Sequence, residues 1–131
     1  MQALLINSVE GRVEPVVLPM DLASYNKEVN RLLKCSSHIY TISTDKTTQL
    51  IADENCLINE SNIAFHSSFF KRPLFGNVLI IGRDPATGDK TNLPAAINAL
   101  TIQVEFCSEQ DTARFRLEAM EYAESIQNKR Q

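Results

Sequence analysis

The chain has 131 residues, of which 44% are hydrophobic and 22% are charged, a composition typical of one ordinary globular domain with a buried core. Thirteen basic and sixteen acidic residues give a formal net charge of -3, which argues against a general phosphate-binding surface. The first residues lack the basic segment of a signal peptide, and no apolar run reaches the roughly 18 residues that a membrane span needs. We therefore expect a cytoplasmic protein without a membrane partner.

Three cysteines, Cys35, Cys56 and Cys107, lie far apart and form no Cys-x-x-Cys pair. This spacing favours a reducing compartment over a disulfide framework. We expect each cysteine to be a small buried apolar residue. The alternative, a nucleophile paired with His38 or His66, has no local sequence signature.

The chain opens with a predicted β-hairpin, since residues 3–6 and 12–18 flank a turn-rich segment. Pro15 cannot donate to a strand ladder and confines the second strand to a sheet edge. Asp21 is a good N-cap, and the apolar residues after it recur at helical spacing, which predicts a helix that ends near Lys34. Its inner stripe is predicted to be Leu22, Tyr25, Val29, Leu32 and Leu33.

A second predicted hairpin follows, because residues 38–43 alternate with period two and a turn separates them from residues 47–52. Residues 53–75 then lose all periodicity although they hold many aromatic and aliphatic side chains. Disordered segments are poor in such residues, so we expect a long ordered loop. Residues 78–81 are apolar on both faces, which indicates a central covered strand.

The segment Asp84 to Asp89 is predicted to be a tight turn, because it lacks the ligand series of a calcium loop and the pattern of a phosphate loop. Residues 94–97 suggest a short helical turn, and residues 101–106 alternate as a half-buried strand. A Ser-x-x-Asp pattern at Ser108 predicts a capped helix that ends near Gln127. Its inner stripe is predicted to be Phe115, Ala119, Tyr122 and Ile126.

Together these elements predict an α+β fold with a mainly antiparallel sheet and two principal helices packed on one face. We expect one domain over residues 1–127 and a frayed C-terminal tail over residues 128–131. Exposed edge strands and the last helix suggest a homodimer.

Metal and catalytic signatures are weak in this sequence. The two histidines are far apart, and no His-x-x-His, His-Glu-x-x-His or Cys-x-x-Cys spacing occurs, so we expect no metal site, no cofactor and no enzyme. His38 begins a predicted strand and is interpreted as a structural or surface residue. His66 lies in the aromatic-rich loop, where an imidazole can contact an anion.

One candidate binding surface combines aromatic and basic side chains in a chain that is otherwise acidic. Arginine can hold phosphate or carboxylate with two hydrogen bonds, and an aromatic ring can stack on a base. The alternative is that the phenylalanines anchor the loop to the core while the basic residues are solvated. The candidate ligand-binding residues are His66, Phe69, Phe70, Lys71, Arg72, Phe75 and Arg83.

The order of several short motifs resembles a family of small proteins of unknown function that are encoded mainly by phages and mobile elements. The resemblance covers roughly residues 1–94 and the strand and helix after Ile97 depart from the family's short ending. The residues that carry it are Gly11, Asp53-Glu54-Asn55, Asn62, the run Gly76-Asn77-Val78-Leu79-Ile80-Ile81-Gly82, Asp84 and Thr87-Gly88-Asp89.

The resemblance implies a phage or mobile-element accessory protein of the host cytoplasm that binds a host component without catalysis. Such a protein would antagonise a host defence system by blocking a host protein or by sequestering a nucleotide signal. The alternative hypothesis is an accessory factor that binds single-stranded nucleic acid through the residues 69–75 surface. A third hypothesis is an enzyme of an undetected type.

Overall fold

Two antiparallel sheets form the centre of the computed structural model, which describes residues 1–35, 39–43, 46–57, 59–68 and 70–130. The strands and helices of this part of the chain are β1 (Gln2–Asn7), β2 (Arg12–Val17), α1 (Leu22–Leu33), β3 (Ile39–Ser43), β4 (Thr48–Asp53), β5 (Ala64–Ser67), β6 (Phe70–Phe75), β7 (Val78–Arg83), β8 (Lys90–Thr91), β9 (Val104–Phe106) and α2 (Glu109–Arg130).

The large sheet has the strand order β2-β1-β7-β4-β3, and β8 pairs with the end of β7. Both predicted hairpins are confirmed, as β1 pairs with β2 and β3 with β4. Pro15 lies on the edge strand β2, as predicted. The apolar strand β7 is central, with Leu79 paired to Leu5 on one side and to Ile51 on the other. His38, predicted to begin β3, lies outside the described residues.

The small sheet has the order β6-β5-β9 and corrects the prediction of a long loop over residues 53–75. Two strands form there, and there is a physical reason why the sequence pattern does not predict them. The β5–β6 register shifts between Phe65 and Ser67, and Pro73 lies within β6. The irregular pairing breaks the period-two alternation by which strands are recognised.

The layer order is α1, large sheet, small sheet, α2. One face of the large sheet packs Leu5 and Leu79 against Tyr25 and Val29 of α1. Its other face packs on the small sheet through Phe65. The far face of the small sheet meets α2 in a third cluster, which contains the residues Cys56, Ala64, Phe75, Phe115 and Ala119.

This arrangement confirms the α+β class with antiparallel sheets and with helices packed against them. The sequence predicted that both helices pack on one face. In the structure each helix covers the outer face of a different sheet. Hydrophobic periodicity shows that a helix has a buried face but not which sheet that face meets. The two helices therefore form the two outer layers of the molecule.

Helix α1 begins at the predicted N-cap, since the Asp21 carboxylate accepts a hydrogen bond from Ser24 N at 3.0 Å. Lys34 ends the helix in the left-handed conformation, as a C-terminal cap often does. Leu22 was predicted to be buried, but it is 70% exposed. It is the first residue of the helix and does not belong to the cluster that α1 forms with the large sheet. Helix α2 begins after Ser108, whose Oγ accepts from Asp111 N, and continues to Arg130 rather than ending near Gln127.

Candidate functional site

An elongated groove lies between the edge strand β6 and helix α2, and we call it the β6–α2 groove. Its volume is about 460 Å³, within the range of pockets that bind small molecules or side chains of a partner. The lining is predominantly apolar, with one cation and one carboxylate. The lining residues are Cys56, Leu57, Phe70, Arg72, Pro73, Leu74, Phe75, Phe115, Glu118, Ala119 and Tyr122.

Hydrogen bonds fix the helix wall of the groove against the small sheet. Thr112 is only 2% exposed, and its Oγ1 accepts a hydrogen bond from Ala64 N of β5 at 3.0 Å. Phe115 and Ala119 follow on the same side of α2 and pack on Phe75. Because Ala119 has a small side chain, it leaves space beside Phe75 where a longer residue would fill the groove.

Arg116 connects α2 to the loop that forms the end of the groove. Its Nε donates to Leu57 O at 2.9 Å, and its Nη2 donates to Asn62 O at 2.8 Å and to Asn59 O at 3.2 Å. The guanidinium thus satisfies three carbonyl groups of a segment that has no strand partner. This contact holds Leu57, a groove residue, close to the helix.

A cation lies at the rim of the groove. The Arg72 guanidinium stacks over the ring of Tyr122, 3.3 Å from its centroid, and Tyr122 is 47% exposed. Within the described residues Arg72 has no hydrogen bond or ion pair, so its N–H donors remain free for a ligand. Stacking restricts the guanidinium plane without using these donors.

The structure brings together three of the predicted site residues, Phe70, Arg72 and Phe75, in this groove. Lys71 is exposed and does not line it. Phe69 lies outside the described residues. The remaining two residues lie elsewhere.

His66 packs its ring edge-on against Phe115, with centroids 5.0 Å apart, and lines a separate surface depression beside β9. Arg83 belongs to the large sheet, where its Nη1 donates to Lys46 O at 3.4 Å. It therefore contacts the segment that precedes β4 and does not line the groove. Of the basic residues that the sequence predicted for the site, only Arg72 lines the groove.

Sequence reasoning missed the contribution of α2 to the site. The sequence predicted one buried stripe on α2 that includes Phe115, Ala119 and Tyr122. This stripe is the face of the helix that lines the groove. The stripe was interpreted as core only, since nothing in the sequence places it beside β6. Glu118, one turn before Tyr122, was not singled out.

None of the three cysteines forms a disulfide, and Cys56 is buried in the groove wall. Burial raises the pKa of the Cys35 thiol, and the nearby Asp53 raises it further. Burial also raises the pKa of Cys107, with smaller contributions from Asp111 and Glu105. Both shifts disfavour the thiolate, the form that a nucleophilic cysteine needs.

The described residues contain no group of three or more His, Cys, Asp or Glu side chains placed to hold a metal ion. In the same part of the chain neither helix has a stretch long and apolar enough to cross a lipid bilayer.

A comparison with protein-family models found no match, and searches of curated proteins and of solved structures found no significant match.

Proposed function

We propose that this protein is a non-enzymatic binding protein whose partner inserts a large apolar side chain into the β6–α2 groove. The observation that carries the proposal is an apolar groove of about 460 Å³ with an arginine at its rim that forms no ion pair with any described residue. A buried aliphatic or aromatic side chain contributes about 1.5–3 kcal/mol. Such anchors surrounded by polar contacts are typical of protein recognition sites.

The charges favour a protein partner over a nucleotide or a single-stranded nucleic acid. Phosphate recognition needs several cations or aligned backbone N–H groups, whereas the groove is lined by one cation, Arg72, and one carboxylate, Glu118. Helix α2 is itself acidic up to Ile126. This part of the helix contains two arginines, both with partners, and five carboxylates, those of Glu109, Asp111, Glu118, Glu121 and Glu124.

The geometry of β6 favours insertion of a side chain over addition of a strand. A partner strand needs a regular row of N–H and C=O groups along a sheet edge. Pro73 has no N–H, and the shifted register of β6 interrupts the row. Both features are known to protect edge strands from pairing.

The partner expected from the charge at the rim is a peptide segment with an aliphatic or aromatic anchor and a nearby carboxylate for Arg72. The resemblance to phage and mobile-element proteins supports a host protein as the source of this segment. In that setting the protein antagonises a host defence system by occupying a host protein.

Selection of a displayed random peptide library on the immobilised full chain tests the proposal. We expect enriched peptides to share one large apolar residue with an acidic neighbour. Ala119→Leu fills the groove and should weaken binding of an enriched peptide at least about tenfold. Ala123→Leu adds the same atoms at an exposed position of α2 and should leave binding unchanged.

Equal binding by the two leucine variants would place the peptide elsewhere and contradict the groove assignment. A parallel thermal-shift panel of linear and cyclic nucleotides and a short single-stranded oligonucleotide addresses the other hypotheses. We expect no shift. A shift that Arg72→Ala abolishes would assign the groove to an anionic nucleotide ligand instead.

A further inference from the structure

Helix α2 exposes a second apolar surface on the side opposite to the residues that line the β6–α2 groove. Three residues form it: Ala113 is exposed, Leu117 is 60% exposed and Met120 is 36% exposed. Their spacings of four and three residues place them in one stripe along the helix, as in the contact line of a coiled coil. We call this stripe the α2 seam. Contiguous exposed apolar side chains usually mark an interaction surface.

An open hollow of about 730 Å³ runs along the α2 seam, between the helix and residues 60–63 of the loop before β5. All three seam residues line it, and Ile63 lines it on the loop side. Arg116 also lines the hollow, but its guanidinium already donates to three carbonyl groups of the loop. The other charged lining residues are Glu60 and Glu109. The hollow is therefore suited to an apolar side chain and not to an anion.

The charges beside the α2 seam differ between its two ends. Near the first end, Arg114 has an exposed ion pair with Asp111 at 3.6 Å, a contact that contributes little. Near the second end, Glu121 and Glu124 are exposed, and neither has an ion pair with a described residue. Arg114 and Glu121 are seven residues apart, so they flank the same side of the seam. The seam thus has a cation at one end and two carboxylates at the other.

We propose that the α2 seam pairs with the α2 seam of a second copy of this chain, in antiparallel orientation, and forms a homodimer. A two-fold axis between Leu117 and Met120 sets Leu117 of each copy against Met120 of the other. Arg114 of each copy then lies beside Glu121 and Glu124 of the other. The hollow accepts the Met120 side chain of the second copy, since an unbranched thioether fills irregular space well.

The charges select the antiparallel orientation over the parallel one. In a parallel pair each seam residue meets its own equivalent, so the two Glu124 carboxylates face each other and repel. The cation that a parallel pair would set beside Glu121 is Arg116, which is engaged with the loop. In the antiparallel pair both Glu121 and Glu124 meet Arg114. Charges that flank an apolar seam determine the orientation of helix pairs in this way.

The size of the α2 seam predicts a weak and reversible dimer. Three apolar side chains from each copy form a small contact, and interfaces below about 1,200 Å² are typically transient. The hollow shares no lining residue with the β6–α2 groove, so the groove stays accessible in the dimer. The inference therefore does not depend on the function proposed for the groove.

Sedimentation equilibrium of the full chain from about 1 µM to 1 mM, a range that covers weak interfaces, measures the association. Leu117→Ser removes the central apolar contact and should weaken dimerisation at least about tenfold. Leu100→Ser is the matched control. Leu100 is 97% exposed in the segment between β8 and β9, and its replacement should leave dimerisation unchanged.

A charge-exchange experiment tests the antiparallel orientation. Arg114→Glu and Glu121→Arg each set like charges against each other across the seam, so each variant alone should dimerise at least about fivefold more weakly. An equimolar mixture of the two variants should recover association as a heterodimer, because each chain then provides the charge that the other lacks. A parallel pair would not recover, since these two positions do not meet in it.

Three results would overturn the proposal. A chain that stays monomeric up to about 1 mM has no self-association of the expected strength. Equal dimerisation of Leu117→Ser and Leu100→Ser would place the contact outside the α2 seam. A mixture of the two charge variants that associates no better than either variant alone would exclude the antiparallel pairing.

Discussion

The contact between Arg116 and the loop before β5 offers the sharpest test of how the groove is held together. Replacing Arg116 by Met keeps the unbranched apolar stem of the side chain and removes its three hydrogen bonds to Leu57, Asn59 and Asn62. Hydrogen bonds to charged groups contribute about 1.5–3 kcal/mol each when buried. The bonds to Leu57 and Asn62 are partly buried, whereas solvent screens the bond to Asn59.

Counting the two partly buried bonds at the lower end gives an expected loss of about 3 kcal/mol in the free energy of unfolding. For a domain of this length the loss corresponds to a decrease in Tm of roughly 10 °C. Urea unfolding of Arg116→Met and of the unmodified chain measures it. Amide hydrogen exchange of Asn59 and Asn62 should accelerate as well, while Leu79 in the central strand changes only with global stability.

Arg114→Met is the matched control on the same helix. Arg114 forms an exposed ion pair with Asp111 at 3.6 Å, and such pairs contribute about 0–1 kcal/mol. If Arg116→Met loses no more stability than Arg114→Met and exchange at Asn62 is unchanged, the guanidinium does not hold the loop. The reasoning about the groove wall would then be wrong.

Three further predictions follow from single residues. Gly82→Ala places a Cβ 2.2 Å from Asn92 O and should cost at least about 3 kcal/mol in urea unfolding. Gly11→Ala meets no atom within 4 Å but has φ +68, so backbone strain alone should cost about 1–2 kcal/mol; equal losses would contradict the close approach at Gly82. Tyr25→Phe removes an unsatisfied hydroxyl and should raise the free energy of unfolding by about 1 kcal/mol; a decrease in calorimetric Tm would reveal a hidden partner. Burial raises the pKa of Cys107, so its thiol stays protonated to higher pH. Iodoacetamide labelling followed by mass spectrometry should therefore show a pH profile that lies at higher pH than that of free cysteine; a profile shifted to lower pH would refute this.

Elements that depend on local patterns could be predicted from the sequence. The hairpin with Pro15 at its edge, the Asp21 cap of α1 and the central apolar strand β7 were all recognisable, since each carries its signal within a few neighbouring residues. The turn at residues 84–89 also formed as expected, with Gly88 at φ +79.

Features that depend on distant contacts could not be predicted. Strands β5 and β6 pair through Phe65 and Leu74 with an irregular register, which leaves no periodic signal. Helix α2 is held on the small sheet by a hydrogen bond that Ala64 N donates to Thr112 Oγ1, and these two residues are 48 positions apart in the chain. The α2 wall of the groove was therefore absent from the predicted site, although Phe70, Arg72 and Phe75 of the β6 wall were part of it.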